Sequence, residues 1–103
     1  MKSELFAKIL SSVAQITELS PEQILSKSKT DDLVAARSLF VHHCAALGLP
    51  SVSIATFLSR RKTNSVNRYL SAYNSFYKSS YYFREMDNHI NALVHNLSTS
   101  RPH

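Results

Sequence analysis

Apolar residues recur along most of the chain at intervals of three and four positions, the spacing that places side chains on one face of an α-helix. The sequence contains one Gly and three Pro residues, so it offers few positions at which a helix must end. It has no internal repeat and no low-complexity tract. We therefore predict an all-α fold, a single-domain cluster of about six helices over residues 1–97, with a frayed tail at 98–103.

Two helices are predicted in the N-terminal quarter of the chain. The second begins at a capping box, in which Ser20 is the N-cap, Pro21 takes the first helical position and Gln23 bonds back to the cap. We expect this short helix to end near Lys27 within a polar basic loop, residues 26–30. The predicted apolar face of the first helix consists of Leu5, Phe6, Ile9, Leu10, Val13 and Ile16.

A third helix is predicted between Thr30 and Gly48. Thr30 is a suitable N-cap, and Asp31 and Asp32 in the first turn are favourable at the positive end of the helix dipole. Gly48 is the residue type that ends helices, and Pro50 follows where a helix could not continue. We expect this helix to bury Leu33, Ala36, Phe40, Cys44 and Leu47.

Three further helices are predicted after Pro50. Ser51 is expected to cap a short fourth helix, a polar turn follows at 59–62, and a fifth helix begins near Thr63. Ser79 and Ser80 mark a break before the last helix. The fourth helix bears Val52, Ile54, Ala55 and Leu58, of which Ile54 and Leu58 are expected to face inward. The fifth is expected to bury Val66, Leu70, Tyr73 and Tyr77, and the last carries an apolar stripe of Phe83, Met86, Ile90, Leu93, Val94 and Leu97.

Composition narrows the class of protein. The 103 residues carry no run of about eighteen apolar residues, so we expect no membrane span and no membrane partner. Charged residues Lys2, Glu4 and Lys8 interrupt the N-terminal apolar pattern, which argues against a signal peptide. Cys44 is the single cysteine and has no partner for an internal disulfide. We therefore predict a cytoplasmic, nucleoid-associated protein.

The positive charge is concentrated in the middle of the chain. The net charge is +5, and between Lys27 and Lys78 eight basic residues stand against only Asp31 and Asp32. No acidic residue occurs between Arg60 and Lys78. Such a concentration of positive charge is typical of surfaces that bind phosphates.

The segment from Ser51 to Tyr77 has the pattern of a helix-turn-helix, in which the second helix enters the major groove of DNA. Asn, Arg, Lys, Ser and Thr side chains can bond to base edges, and basic side chains bond to phosphates. We predict base contacts from Lys62, Thr63, Asn64, Ser65 and Arg68, and phosphate contacts from Lys27, Lys29, Arg37, Ser51, Arg60 and Arg61.

Most of the chain, from about Val13 to Leu97, resembles the C-terminal DNA-binding domain of the bacterial replication initiator DnaA. The resemblance is carried by residues 13–17, 20–25, 26–29, 35–38, 54–55 and 61–66. It implies a helical cluster similar to Trp repressor, a basic loop that touches the DNA backbone, and a recognition helix in the major groove.

The sequence departs from that family at positions that carry its specificity. The Arg-Pro-Arg-Gln motif of the family appears here as Ala35-Ala36-Arg37-Ser38, so the arginine that enters the minor groove is replaced by Ala35. The Asp-His pair before the recognition helix appears as Lys62-Thr63. There is no Gly-rich phosphate loop, so we expect no nucleotide and no other cofactor. We expect a complete small protein rather than an excised domain.

These observations predict double-stranded DNA binding, with sequence specificity, in replication control or transcription regulation. The alternative is a protein-interaction module that kept the helical cluster and lost base readout, with a replication protein as its partner. A homodimer through the first or last helix is also considered. The two hypotheses differ in whether the basic residues or an apolar, tyrosine-bearing surface carries binding.

Other chemistry-bearing residues receive structural interpretations. His42, His43 and Cys44 are neighbours on one helix and point about 100° apart, so we expect no shared metal site. Glu85 and Asp87 are expected to be dipole partners or solvated charges, and we predict no catalytic residue and no enzyme activity. Four tyrosines recur every four residues and are expected to pack against neighbouring helices rather than stack on bases: Tyr69, Tyr73, Tyr77 and Tyr81.

Overall fold

The computed structural model describes residues 2–58 and 64–99, with side chains described for 4–58 and 64–95. These residues form α1 (Lys2–Thr17), α2 (Pro21–Leu25), α3 (Asp31–Ala46), α4 (Ser51–Phe57), α5 (Asn64–Ser79) and α6 (Tyr81–Thr99). The predicted all-α class is confirmed, and this part of the chain contains no β-strand. None of its helices combines the length and the hydropathy that a membrane crossing requires.

Helix α3 lies at the centre of the fold and contacts all five other helices. Leu39, Phe40 and Val41 are three consecutive residues, and all three are completely buried. Consecutive helical residues point in directions about 100° apart, so the middle of this helix is enclosed on all sides, while its two ends are exposed. Leu33, Ala36, Phe40 and Cys44 of the predicted stripe are buried, whereas Leu47, the C-cap residue, is half-buried. The stripe accounts for only part of the surface of α3 that packs against other helices.

The amino half of the core is held by three phenylalanine rings from three helices. Phe6 of α1 stacks on Phe57 of α4 with ring centroids 4.9 Å apart, and Phe57 stacks on Phe40 of α3 at 5.7 Å. Pairs at these separations contribute about 0.5–1.5 kcal/mol beyond the burial of their area. The three rings join α1 and α4, which are far apart in sequence, to the central helix.

The predicted helix starts are reproduced with differences in detail. The capping box is present: the Gln23 backbone N–H donates to Ser20 Oγ at 3.1 Å, and the Ser20 N–H donates to Gln23 Oε1 at 2.9 Å. Thr30 is the N-cap of α3, but its hydroxyl donates to the Asp32 carboxylate and makes no capping bond. Pro50 is the N-cap of α4, so Ser51 is its first residue and the predicted cap was one residue off.

Helix α3 ends as the sequence predicted, at a glycine with a left-handed backbone. Gly48 has φ 84°. The N–H of Leu49 donates to the Cys44 carbonyl at 3.1 Å, and the N–H of Gly48 donates to the Ala45 carbonyl at 2.9 Å. This pair of bonds is the Schellman motif, which satisfies carbonyls that the end of the helix leaves free.

Two residues of the predicted apolar pattern are exposed, and Tyr77 is the one of them that was predicted to be buried. Val52 is 65% exposed because α4 has only seven residues, and Ile54, Ala55 and Leu58 already supply its inward side. Tyr77 is 40% exposed and lies in the last turn of α5. The predicted break at Ser79 and Ser80 is confirmed, and α6 continues to Thr99, two residues past the predicted boundary at residue 97.

The last helix carries a buried acid, which corrects the expectation of a solvated charge at Asp87. Asp87 is 8% exposed, and its Oδ1 lies 2.9 Å from Nε2 of His43 on α3. The expectation that His42 and His43 diverge is also corrected. One ring nitrogen of each histidine and a carboxylate oxygen of Asp87, on the neighbouring helix α6, all lie within 4.8 Å of one another.

Cys44 is completely buried in this core, as predicted, and removal from solvent raises the pKa of its thiol. A neutral thiol surrounded by apolar groups behaves as a small hydrophobic residue.

The conformation of Gly48 gives a direct test of how α3 ends. A Cβ added at Gly48 would meet no atom within 4 Å, so the substitution Gly48→Ala changes backbone strain without creating a clash. We expect Gly48→Ala to lower the free energy of unfolding by about 1 kcal/mol, because alanine disfavours a left-handed backbone. Gly48→Asn should lower it less, since asparagine tolerates this conformation. Urea-induced unfolding followed by circular dichroism measures both, and equal losses would contradict the assignment.

Candidate nucleic-acid interface

A groove of about 620 Å³ opens between the loop after α2 and the first half of α5. We call it the basic groove. Two lysines from the loop form one wall, and residues of α5 form the other. Its lining consists of Lys27, Lys29, Val34, Ser65, Arg68, Tyr69 and Ala72.

The basic groove brings together residues that the sequence analysis proposed on separate grounds. Lys27 and Lys29 were predicted to contact phosphates, and Ser65 and Arg68 were predicted to contact bases. They are separated by more than thirty positions in the chain but line one surface. The geometry therefore groups a loop and a helix that could act on the same ligand.

The charged side chains that line this groove are all positive. Its lining contains three cationic side chains and no carboxylate. Lys27, Lys29 and Arg68 are all exposed, and none of them forms an ion pair within residues 4–58 and 64–95. Like charges on facing walls raise the local concentration of an anionic ligand.

The lining of the α5 wall follows the helical repeat. Ser65, Arg68, Tyr69 and Ala72 are spaced at three and four positions and therefore share one face. Val66 and Tyr73 are buried about a quarter of a turn away from this face, and their packing fixes the rotation of the helix. Asn64, the first residue of α5, is exposed and its side chain is available to a ligand.

Arg37 does not belong to this surface, and its prediction as a phosphate contact was wrong. The side chain is completely buried. Its guanidinium donates to four backbone carbonyls, those of Ile24 at 2.6 Å, Ser28 at 2.6 Å, Ser26 at 2.8 Å and Gln23 at 3.4 Å. A phosphate could reach it only after these bonds were broken.

The bonds of Arg37 define the shape of the basic loop. Gln23 and Ile24 belong to α2, so the guanidinium satisfies carbonyls near the end of that helix, while Ser26 and Ser28 lie within the loop. Lys27 lies between Ser26 and Ser28, and Lys29 follows directly. The buried arginine therefore fixes the backbone from which both lysines project into the groove.

The remaining predicted contacts lie elsewhere. Ser51 is exposed at the start of α4 and does not line the basic groove. Four of the residues predicted to touch DNA, Arg60, Arg61, Lys62 and Thr63, lie outside the described residues. Ala35, which replaces the family's minor-groove arginine, is half-buried against the core.

Sequence reasoning missed two features of the site. Tyr69, Ala72 and Val34 form part of the lining, and their helical spacing from Ser65 and Arg68 could have identified the first two. The second feature is the buried role of Arg37. The sequence contains only a weak indication that Arg37 is buried, namely its position one residue after Ala36, which was predicted to be buried. Both residues are completely buried in the structure.

A second surface carries exposed aromatic rings at the junction of α5 and α6. Tyr81 is 70% exposed and Tyr82 is 66% exposed, and Tyr77 lies on the same junction. The guanidinium carbon of Arg84 lies 6.0 Å from the ring centroids of both Tyr77 and Tyr81. The prediction that the tyrosine row packs inward was correct for Tyr73, which is buried, and wrong for Tyr77 and Tyr81.

Comparisons of the chain with protein-family models, with curated proteins and with solved structures gave no match.

The structural role of Arg37 can be measured through stability. We expect Arg37→Met to lower the free energy of unfolding by about 3 kcal/mol. Each hydrogen bond to a charged group contributes about 1.5–3 kcal/mol, but the loss is smaller than the sum over four bonds because some of the carbonyls will bond to water instead. Arg37→Lys should lower the free energy of unfolding by less than Arg37→Met does, because lysine keeps the charge. It should still lower it, because one ammonium group cannot bond to carbonyls on both α2 and the loop.

Arg68→Met is the matched control, because Arg68 is exposed and makes none of these bonds. It should change the free energy of unfolding by less than about 0.5 kcal/mol. Urea unfolding of all three variants gives the values. A decrease at Arg37 no larger than that at Arg68 would show that the buried bonds do not hold the loop.

Proposed function

We propose that this protein binds double-stranded DNA, with the basic groove on the phosphate backbone and the amino end of α5 in the major groove. The observation that carries the proposal is that Lys27, Lys29 and Arg68 line one and the same groove, and that no carboxylate lines it. The net charge of +5 and its concentration between residues 27 and 78 support the same partner.

The two walls of the groove have different parts in this proposal. The loop lysines bind phosphates and set the position of the protein along the duplex, while carrying no sequence information themselves. On α5, Ser65 and Arg68 lie one turn apart on the groove face, and Asn64 precedes them. These side chains have the hydrogen-bonding groups that distinguish base edges in the major groove.

Helices α4 and α5 are in contact and α5 follows α4 in the chain, which supports their assignment as the two helices of a helix-turn-helix. Lys62 and Thr63 directly precede α5 in the sequence, and we propose that they also contact bases, while Arg60 and Arg61 bind phosphates. The resemblance to the DnaA DNA-binding domain suggests a role in replication control or transcription regulation, with a target site that differs where Ala35 and Lys62-Thr63 differ from the family.

A second candidate function is protein interaction, and the exposed tyrosines favour it. Tyr77, Tyr81 and Tyr82 present aromatic area beside Arg84, and tyrosine and arginine are enriched in protein interfaces. This surface lies at the α5–α6 junction, and none of these residues lines the basic groove. Variants can therefore separate the two functions.

The DNA proposal is tested by the salt dependence of binding to a fluorescent mixed-sequence duplex. We expect the double variant Lys27→Gln, Lys29→Gln to weaken binding about equally for all sequences. The slope of log affinity against log salt should become shallower by about 0.9 for each phosphate that the variant no longer neutralises. Fluorescence anisotropy at several salt concentrations gives both quantities. Arg68→Gln should in addition relax base preference in a selection from random duplex DNA.

Lys78→Gln is the matched control, because Lys78 is an exposed lysine on α5 outside the basic groove. It should leave the affinity close to that of the unaltered protein. Absence of duplex binding at low salt, or equal weakening by the control, would reject the proposal.

If Tyr81→Ser and Tyr82→Ser abolished capture of a replication protein while DNA binding was absent, the second candidate would be favoured.

A further inference from the structure

Helices α3, α5 and α6 meet at a cluster of polar side chains that the DNA-binding proposal does not use. The cluster consists of His42 and His43 on α3, Tyr73 on α5 and Asp87 on α6. His43 and Asp87 are buried, and His42 is half-buried. His43 Nε2 lies 2.9 Å from Asp87 Oδ1, and one ligand-type atom from each histidine and from Asp87 lies within 4.8 Å of the other two.

The donor set has a defined metal preference. Two imidazole nitrogens and one carboxylate oxygen suit Zn²⁺ and related transition-metal ions, whereas Mg²⁺ and Ca²⁺ prefer oxygen ligands alone. Three protein ligands with a fourth position left for water is a common arrangement around zinc. His42 is the most exposed member of the three, so an ion and its water could approach from that side.

The surroundings of His42 and Asp87 hold the pKa of each side chain below its ordinary value. Burial is the larger cause for His42, with a further contribution from the neighbouring His43. Burial acts to raise the pKa of Asp87, but its interactions with His43 and Tyr73 outweigh this and leave the pKa below its ordinary value.

Tyr73 orients two of the three ligands. Its ring stacks on the ring of His42 with centroids 3.7 Å apart and planes 2° from parallel. Its hydroxyl also interacts with the Asp87 carboxylate. Groups that hold the rings and carboxylates of a site in place contribute to metal affinity, and their removal weakens it by about 10–100-fold.

We propose that His42, His43 and Asp87 form a binding site for a divalent transition-metal ion of the zinc type, which joins α3 to α6. Zinc ligands lie about 2.0–2.2 Å from the ion, so two ligand atoms of a tetrahedral site lie about 3.4 Å from each other. His43 Nε2 and Asp87 Oδ1, now 2.9 Å apart, would separate slightly on binding, and ligand atoms that are now further apart, up to 4.8 Å, would move closer together. The ion replaces the direct bond between His43 and Asp87. Bound ion stabilises the folded protein, because the unfolded chain does not hold the three ligands together.

The experiment uses the full chain after treatment with a chelator. Addition of Co²⁺ should produce the visible absorption of a low-symmetry, four-coordinate site, and Zn²⁺ should displace it. Isothermal titration with Zn²⁺ should show one ion per chain, and Zn²⁺ in excess should raise the unfolding temperature by several degrees.

His42→Phe is the decisive variant, because phenylalanine can keep the stacking on Tyr73 while removing the ring nitrogens. It should lower the affinity for Zn²⁺ by at least about 100-fold and abolish the Co²⁺ absorption. Asp87→Asn is the second variant. It keeps a hydrogen-bonding side chain beside His43 while removing the charge, and it should also weaken binding if the variant folds.

His89→Gln is the control, because His89 is an exposed histidine on α6 outside the cluster. It should bind Zn²⁺ as the unaltered protein does. The proposal is overturned if no Co²⁺ absorption appears, if binding survives His42→Phe, or if His89→Gln removes it. In those cases the cluster is a structural hydrogen-bond network, and His43→Gln would lower stability with no dependence on metal.

Discussion

The buried guanidinium of Arg37 is the interaction on which the arrangement of the candidate site depends. A charge removed from water is costly unless strong hydrogen bonds replace its hydration, and here all four observed bonds go to backbone carbonyls between residues 23 and 28. The end of α2 and the following loop must therefore lie against α3. Because α5 also contacts α3, the loop and α5 face each other, and the basic groove is the space between them.

Residues of α3 that point in different directions thus bond to two separate regions of the fold. Arg37 faces α2 and its loop, and His43, six positions later, faces α6. Apolar residues such as Leu39 and Phe40 fill the space around these polar groups. A helix enclosed on all sides can carry buried polar groups only where each finds a partner, and no buried polar side-chain atom among the described residues lacks one. The central helix therefore fixes both its loop and its neighbouring helices by specific bonds as well as by hydrophobic packing.

The sequence predicted those parts of the fold that depend on local chemistry. The capping box at Ser20, the stop at Gly48 and the break at Ser80 are encoded within a few residues, and each was found where expected. Features that depend on contacts distant in sequence were not predictable in this way. A basic residue on a helix is ordinarily exposed, and nothing near Arg37 shows that carbonyls from 23–28 will surround it. Asp87 likewise has an ordinary helical context, and only the approach of α3 makes it a buried partner of His43.

Cys44 has a consequence for following the motions of this fold. It is the single cysteine of the chain, it is completely buried on the central helix, and its thiol stays protonated because burial raises the pKa. Alkylating reagents require an accessible thiolate, so modification must wait until the core opens. The rate of labelling at this one position therefore reports how often α3 separates from its neighbours, and ligands that bind the closed form should slow it in proportion to their occupancy.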